Sequence, residues 1–471
     1  MKRFNLSIYI IAGFLLFFVS CRVTKDYQSP NINSKEYLRV NKDHSIDTLA
    51  EVPQIPWKSF FTDTLLQNYI EAALVENYDM KIAFERIEIA EAIHHQSKQA
   101  FLPNISGNVS VARSKLAFTQ GFGIIDDVTQ YDLGLSVSWE ADIWGKLKSA
   151  NKAQLARLLQ SKAYQHAVQA ALITNIASQY YQLIALDEQL NILQRTAENR
   201  KANVTSIQKL QTANVVNSVA VLQSQANQYD AEIAIFNVEK QIWEVENALA
   251  VLLGKSTAKI ERTRFDEIND KSPLPVFESI NAELMANRPD VIQAELAYRS
   301  AFELTNVART QFYPSFTLTG AGGFSSFEFS DLFTENIGLF GNVAAGLFQP
   351  IFNKGINEAN LKTAKSEQQI AFYNFEYTLL KAGQEISDAY NSFQKANLKI
   401  EKRVLQLEAL SKSVDDTKKL LQYNSQTNYT DVLTSEQNLL AAEIGNVNDI
   451  LEQKIALINL YRALGGGWNE N

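Results

Sequence analysis

The sequence is short of cysteine, methionine and histidine, and each shortage removes a class of function. A single cysteine, Cys21, among 471 residues rules out an internal disulfide. Three methionines, one of them the initiator, cannot build a soft-metal relay. Two of the four histidines are adjacent, His94 and His95, and leave a helix on different faces. A metal pair would be spaced by three or four residues, so these two are read as surface residues and no metal or other cofactor is expected. Asp415 and Asp416, beside Lys418 and Lys419, are read as a solvated helix face rather than as paired catalytic carboxylates. A phosphate-cradling loop, a nucleophile elbow and a glycine-rich dinucleotide turn are all missing, so nothing supports an enzyme. The formal net charge of −8 is of the wrong sign for a nucleic-acid partner. Beyond Val19 no run of 18 apolar residues occurs, which excludes a transmembrane helix. Entry into a bilayer would then require strands of a closed barrel, the other fold that satisfies its backbone in lipid.

What is present begins with Met1-Lys2-Arg3, an apolar stretch from Ile8 to Val19, and Ser20-Cys21. A charged start, a short apolar run and a small residue before cleavage make residues 1–20 a secretory signal. Cys21 would then open the mature chain and be available for lipidation. Ser20 suits such a lipoprotein site, whereas Phe18 and Val19 depart from the usual pattern. An ordinary signal peptide followed by an incidental cysteine is the other reading.

The chain is duplicated. Asp79 and Asp290, Pro103 and Pro314, Val221-Leu222 and Val432-Leu433, and Leu253-Gly254 and Leu464-Gly465 all share one spacing of 211 residues, and Gly145 falls on Gly355 at 210. Two copies of a unit of about 180 residues are joined by an irregular stretch, Lys255 to Ile280, that contains Pro273 and Pro275. Each copy has a helix ending at the proline, two strand-like segments, a very long helix, a turn and a further helix.

Leu133, Leu135, Val137 and Trp139 alternate with Asp132, Gly134, Ser136 and Ser138, the period of a strand between apolar and polar surroundings. Phe316 and Leu318 alternate more weakly before glycines blur the pattern. Two strands per copy make four per chain, and a membrane barrel needs at least about eight. Several chains must therefore share one barrel, with two, three or four copies left open by the count.

No proline interrupts Gly145 to Ala213 or Gly355 to Tyr423. Each run would extend roughly 100 Å as a helix. Leu172, Ile176, Tyr180, Leu183, Leu190 and Leu193 mark a narrow stripe on the first, and Ile386, Phe393, Ile400, Val404, Leu407 and Val414 on the second, as in coiled-coil partners. Shorter helices near 77–101 and 219–253 would line a long one, through Leu222, Tyr229, Ile233 and Phe236 in copy one and Leu433, Leu440, Ile444 and Val447 in copy two.

With Trp57 to Phe61, Asp63 and Leu65, with Leu135 to Gly145 and above all its Trp139 to Gly145 end, and with Asn287-Arg288-Pro289-Asp290, the chain resembles the TolC/OprM-like outer-membrane factors, in the lipoprotein branch of RND-type efflux systems. The resemblance implies a mainly α fold with a small β part, and a homotrimer whose twelve strands form an outer-membrane β-barrel continuing into a periplasmic α-helical barrel. It implies an exit duct for small molecules, lipid-anchored and consuming no energy, with a periplasmic adaptor protein, an inner-membrane RND-type transporter and outer-membrane lipid as partners. On this reading residues 1–20 are the signal peptide and 21–76 an N-terminal anchor and equatorial segment. Residues 77–254 are repeat 1, 255–286 a linker, 287–465 repeat 2 and 466–471 the tail.

The resemblance also puts a pore constriction at the turns Leu210 to Asn217 and Leu421 to Asn428, each closed by an Asn suited to cap the next helix. The family pattern at the second turn has Tyr-Arg-x-Gly followed by Leu-Asp-Ala-Gln. Tyr423 matches it, whereas Asn424, Gln426 and Ser435 replace the Arg, Gly and Asp, so a charged latch is not carried over. A ring of Tyr423 side chains would narrow the pore, and a ring of Asp431 would favour cations. On the other reading, Tyr423 would pack between neighbouring helices and Asp431 would cap the one that follows.

Two further readings stand. A periplasmic coiled-coil lipoprotein that conducts nothing would leave Phe118 to Gln130 and Phe324 to Gly338, long segments between paired strands, without a purpose. A conduit for type I protein secretion would keep the channel, but Cys21 and Trp139 to Gly145 favour the pump branch.

Overall fold

The structure, a computed structural model, describes residues 23–30, 55–115, 127–257, 259–268, 282–333, 338–423 and 429–468. Their helices are α1 (Trp57–Phe60), α2 (Thr64–Glu76), α3 (Tyr78–Gln99), α4 (Lys146–Thr212), α5 (Ser218–Leu252), α6 (Pro289–Thr310), α7 (Ile356–Tyr423) and α8 (Tyr429–Ala463). The strands are β1 (Asn104–Lys115), β2 (Asp127–Ala141), β3 (Ser315–Ser326) and β4 (Leu339–Phe348). Contacts divide the chain into two units. None of the described helices is long and apolar enough to cross a membrane.

One unit, residues 1–30, 87–161 and 294–375, contains the strands. They form a single antiparallel sheet in the order β1-β2-β3-β4. Val109, Leu133, Phe324 and Leu339 stand opposite one another in a row on one face. On the other face Asp132 accepts hydrogen bonds from Ser110 Oγ (3.3 Å), Gln130 Nε2 (2.9 Å) and Ser325 Oγ (2.6 Å). One apolar and one polar face is the division expected of a barrel wall between lipid and a wet interior. The expected loops are shorter than the sequence suggested: β2 already begins at Asp127 and β3 runs to Ser326. Gly134 and Gly323 face each other, and a Cβ on Gly323 would meet the Leu133 carbonyl oxygen at 2.2 Å, so only glycine lets β2 and β3 approach there.

Gly145, with φ of +78°, turns the chain from β2 into α4, a left-handed conformation that suits glycine; Gly355, at +77°, does the same before α7. Asp142 holds the start of α4 by accepting from the amides of Leu147 and Lys148, both at 2.9 Å. Trp144 Nε1 donates to the Pro314 carbonyl at 2.7 Å and its ring lies 5.0 Å from that of Tyr313. His94 is a correction: it is buried beside Ser97, one turn on, while His95 is exposed. Adjacent helical residues do point apart, and that sends one of the two inward.

The other unit, residues 31–86, 162–293 and 376–471, is helical over most of its described residues. Leu172, Ile173, Ile176, Tyr180, Leu183 and Ile184 of α4 are the spine of its main core, which Trp57, Phe61, Leu66, Ile70, Leu249, Ile260, Ile458 and Tyr461 close. Each such aliphatic side chain contributes about 1.5–3 kcal/mol when fully buried. The duplication reaches the bonding. Asn77 Nδ2 donates to the Leu252 carbonyl at 2.9 Å, and Arg288 Nη1, 211 residues later, donates to that of Ala463 at 3.1 Å, the same offset.

The stripe expected to seat α5 proves to be its outer face. Leu222, Tyr229, Ile233 and Phe236 are all more than half exposed, and Val221, Ser224, Ala231 and Val238 are buried instead. Small residues allow the backbones to approach closely, which leaves the large side chains outside. On α7, Val404 is likewise exposed, at 56 %. In copy two the expectation holds: Leu440, Ile444 and Val447 of α8 pack around Ala185 and Ile192 of α4, the long helix of the other copy.

Candidate functional site: the helix-turn end and the strand sheet

Α4 stops at Thr212 because Asn214 takes a left-handed φ of 57° and lets the Val215 amide reach back to the Leu210 carbonyl at 2.9 Å. Asn217 then caps α5, its side chain accepting from the Ala220 amide at 3.1 Å, as the sequence suggested. Of the second turn, Asn424 and Asn428 lie outside the described residues. Tyr423 is the last residue of α7, and its side chain also lies outside them.

Asp431 is exposed in the first turn of α8, where a carboxylate favours the positive helix end. Ser435 sits one turn further on and is occupied locally: its hydroxyl donates to the Asp431 carbonyl at 2.9 Å and lies 3.4 Å from Thr417 Oγ1 of α7. The structure thus places Ser435 where α8 meets α7.

The sequence did not single out the residues that tie this end together. Tyr429, the first residue of α8, donates to Ser224 Oγ of α5 at 3.0 Å, and burial pushes its phenol pKa up. Glu436 faces Lys418 of α7 at 2.8 Å and Asn203 of α4 at 3.4 Å, so one carboxylate joins three helices. Arg200 of α4, buried to 7 % exposure, donates to the Asn227 carbonyl of α5 at 2.5 Å. Single polar residues at helical spacing look like solvated positions in a sequence, and only packing shows that they meet.

Cys21 lies outside the described residues. The chain just after it is held to α6: Lys25 N donates to Asn306 Oδ1 at 3.1 Å, and Asn306 Nδ2 returns a bond to the Lys25 carbonyl at 2.9 Å. Tyr27 stands edge-on to Tyr298 and Phe302, with centroids 5.8 and 5.6 Å away.

In the sheet, β1 and β4 are the outer strands, and among the described residues neither has a second strand partner. Unpaired edges of 12 and 10 residues on a sheet with an apolar face are not a stable end state for one chain.

The fold agrees with that of known proteins. The family model described as outer membrane efflux protein matches residues 69–255 and 281–466. The chain is 27 % identical to a probable outer membrane lipoprotein, SilC, of Salmonella typhimurium, across 98 % of each chain. It is 26 % identical to the cation efflux system protein CusC of Escherichia coli strain K12, across 95 % of this chain and 96 % of that one. A crystal structure of CusC superposes with a TM-score of 0.83 at 26 % identity, covering 95 % of this chain and all of the other. The chain belongs to the outer membrane efflux protein family and is an outer-membrane efflux channel, built on the TolC-type fold.

Proposed function

We propose that three copies of this chain make one passive duct, the outer-membrane part of a tripartite pump, to which a periplasmic adaptor and an inner-membrane transporter deliver small molecules. The observation that carries this is the open four-stranded sheet, with its apolar face and two unpaired edges. Three copies supply twelve strands, enough for closure, whereas one chain supplies too few. The duct itself performs no chemistry. Cys21 carries the lipid that anchors the mature chain in the outer membrane, and the pinning of residues 25–29 to α6 supports an anchor held close to the strands' own unit.

The constriction lies at the helix-turn end. Tyr423 and Asn424 narrow it, Asp431 gives it a cation-favouring charge, and Ser435 together with Glu436 and Tyr429 fastens α8 in the closed position. A bound adaptor opens it by favouring the form in which those fastenings are released. Planar-bilayer recording from the purified protein tests this reading. A small conductance that rises in Tyr423→Ala supports the gate, and failure of the wild type and of every gate variant to conduct overturns the duct.

A further inference from the structure

Lys454 of α8 lies one turn before the buried Leu457 and Ile458 and shares their face of the helix, yet among the described residues no carboxylate meets it. Other lysines of the helical unit do have partners: Lys399 reaches Glu452 at 2.5 Å and Lys418 reaches Glu436 at 2.8 Å. The duplication does not call for a charge at this position either, because its counterpart 211 residues earlier is Trp243. Burial lowers the Lys454 pKa, and no neighbouring charge restores it.

The lysine lines a cavity of about 280 Å³ whose walls come from the α1–α2 turn, α4, the linker after α5, and α8, all within the helical unit. Phe60, Ile268 and Ile458 make part of it apolar. Tyr181 lines it too, with a hydroxyl that has no hydrogen-bond partner among the described residues. Burial, followed by the Asp63 charge, pushes the Tyr181 phenol up to about 12, so it keeps its proton and can donate. Asp63 itself is already occupied. One of its oxygens accepts from the amides of Leu65 and Leu66 at 2.8 and 3.2 Å, and the other from Tyr180 and Thr263 at 2.8 and 2.6 Å. Glu267 stands exposed on the remaining side.

We propose that this cavity binds a small monocarboxylate with an apolar body, its carboxylate accepting from Lys454 Nζ and the Tyr181 hydroxyl and its body resting on Phe60, Ile268 and Ile458. The two polar groups left open are both donors, and a partly buried cation gains most from an anion that takes its hydrogen bonds as well as its charge. An amine would find only Glu267, which water screens, because every acceptor position of Asp63 is filled. A dianion would be repelled by Asp63 and Glu267 together. The volume falls just under the usual range of roughly 300–1,000 Å³ for ligand pockets, which suits a single ring or a short chain. The site stands apart from the gate: Lys454 is 25 residues beyond Tyr429 on α8, roughly 37 Å along the helix. Its failure would leave the duct reading untouched. The competing account is a lysine whose stem covers Leu457 and Ile458 while its ammonium reaches water, which leaves nothing for a ligand to hold.

Benzoate, benzylamine and benzyl alcohol share one body and differ in charge, and titration calorimetry of each into the purified protein in a non-ionic detergent, with protein-free micelles as the blank, tests the site. Benzoate should bind saturably and the other two at least about ten-fold more weakly. Lys454→Met, which keeps the bulk of the stem without its charge, should weaken benzoate about ten-fold, the loss expected of one charge-assisted hydrogen bond. Tyr181→Phe should weaken it less. A second readout uses the wild type alone and so does not depend on the variants folding. Benzoate should slow acetylation of Lys454 by N-hydroxysuccinimidyl acetate, followed by peptide mass spectrometry, and leave that of the exposed Lys240 unchanged. Benzoate that does not saturate, that binds Lys454→Met as tightly as wild type, or that leaves Lys454 acetylation unchanged overturns the site.

Discussion

Tyr180 of α4 donates its phenolic proton to Asp63 Oδ2 at 2.8 Å, and the other oxygen of that carboxylate caps α2 through the Leu65 amide at 2.8 Å. Thr263 completes the group, its hydroxyl donating to Asp63 Oδ2 at 2.6 Å and its amide to Tyr180 Oη at 3.1 Å. One carboxylate thus joins the N-terminal segment, the long helix and the linker between the copies. Burial, with a smaller contribution from Asp63, holds the Tyr180 phenol well above its ordinary pKa, so it stays a donor at any physiological pH. Tyr180→Phe is expected to cost about 1 kcal/mol, since Asp63 retains Thr263. Asp63→Ala should cost more, about 2–3 kcal/mol, because the cap and two side-chain partners go together. Thermal unfolding of the solubilised variants gives the order, and equal losses would contradict it.

His94 gives a dependence on mild acid. Its Nδ1 is buried without a hydrogen-bond partner, and burial, followed by Lys98 and His95, lowers its pKa from the ordinary value of 6.5. A histidine with a folded pKa below its unfolded one binds fewer protons when folded, so its contribution is full above about pH 6.5 and falls as the pH drops through the folded pKa. His94→Gln should leave the melting temperature at pH 8 within a few degrees and flatten its decline between pH 7 and 5. An unchanged pH profile would show that His94 does not titrate in this way.

A second dependence lies at stronger acid. Arg288 is held by Asp290 at 2.8 Å and Glu385 at 2.6 Å and is itself almost fully buried. Burial alone would raise the Asp290 pKa, but the Arg288 hydrogen bond and charge outweigh it and hold the carboxyl below its usual 3.8. The contribution is therefore complete above about pH 4 and is lost as the pH falls through the folded value. Asp290→Asn should lower stability at pH 7, and the gap from wild type should narrow below pH 4. A gap that stays constant down to pH 2 would show that Asp290 does not titrate in this way.

The proposed gate has its own test. If the Tyr429 to Ser224 bond exists only in the closed form, Tyr429→Phe removes about 1 kcal/mol from that form and raises the open population about five-fold. Asp431→Asn should leave opening unchanged but reduce preference for cations. Reversal-potential measurements separate the two effects, and an Asp431→Asn channel with wild-type selectivity would overturn the proposed charged ring.

Much of the fold was legible because its signals are local. Prolines are missing from α4 and α7 and glycines stand before both, so their ends could be set to within a residue or two. Alternation marked β2, and the repeat offset carried the assignment to β3 and β4, where glycines obscure it. The periodicity of α5 was equally plain, yet it identified the wrong face as buried. A stripe of Leu222, Tyr229, Ile233 and Phe236 says that something apolar must cover it, not whether that is the same chain. The fastening at Glu436, Lys418 and Asn203 was invisible for a related reason: three residues 15 or more apart in sequence meet only when three helices pack.

If one chain is a third of a channel, the purified, detergent-solubilised protein has the mass of three copies, which light scattering measures. The expected species is three copies of a 52.9 kDa chain, less the proposed signal segment and plus any lipid, with no monomer at micromolar concentration. A stable species of one copy would contradict it, because the four-stranded sheet would then have to remain open at both edges.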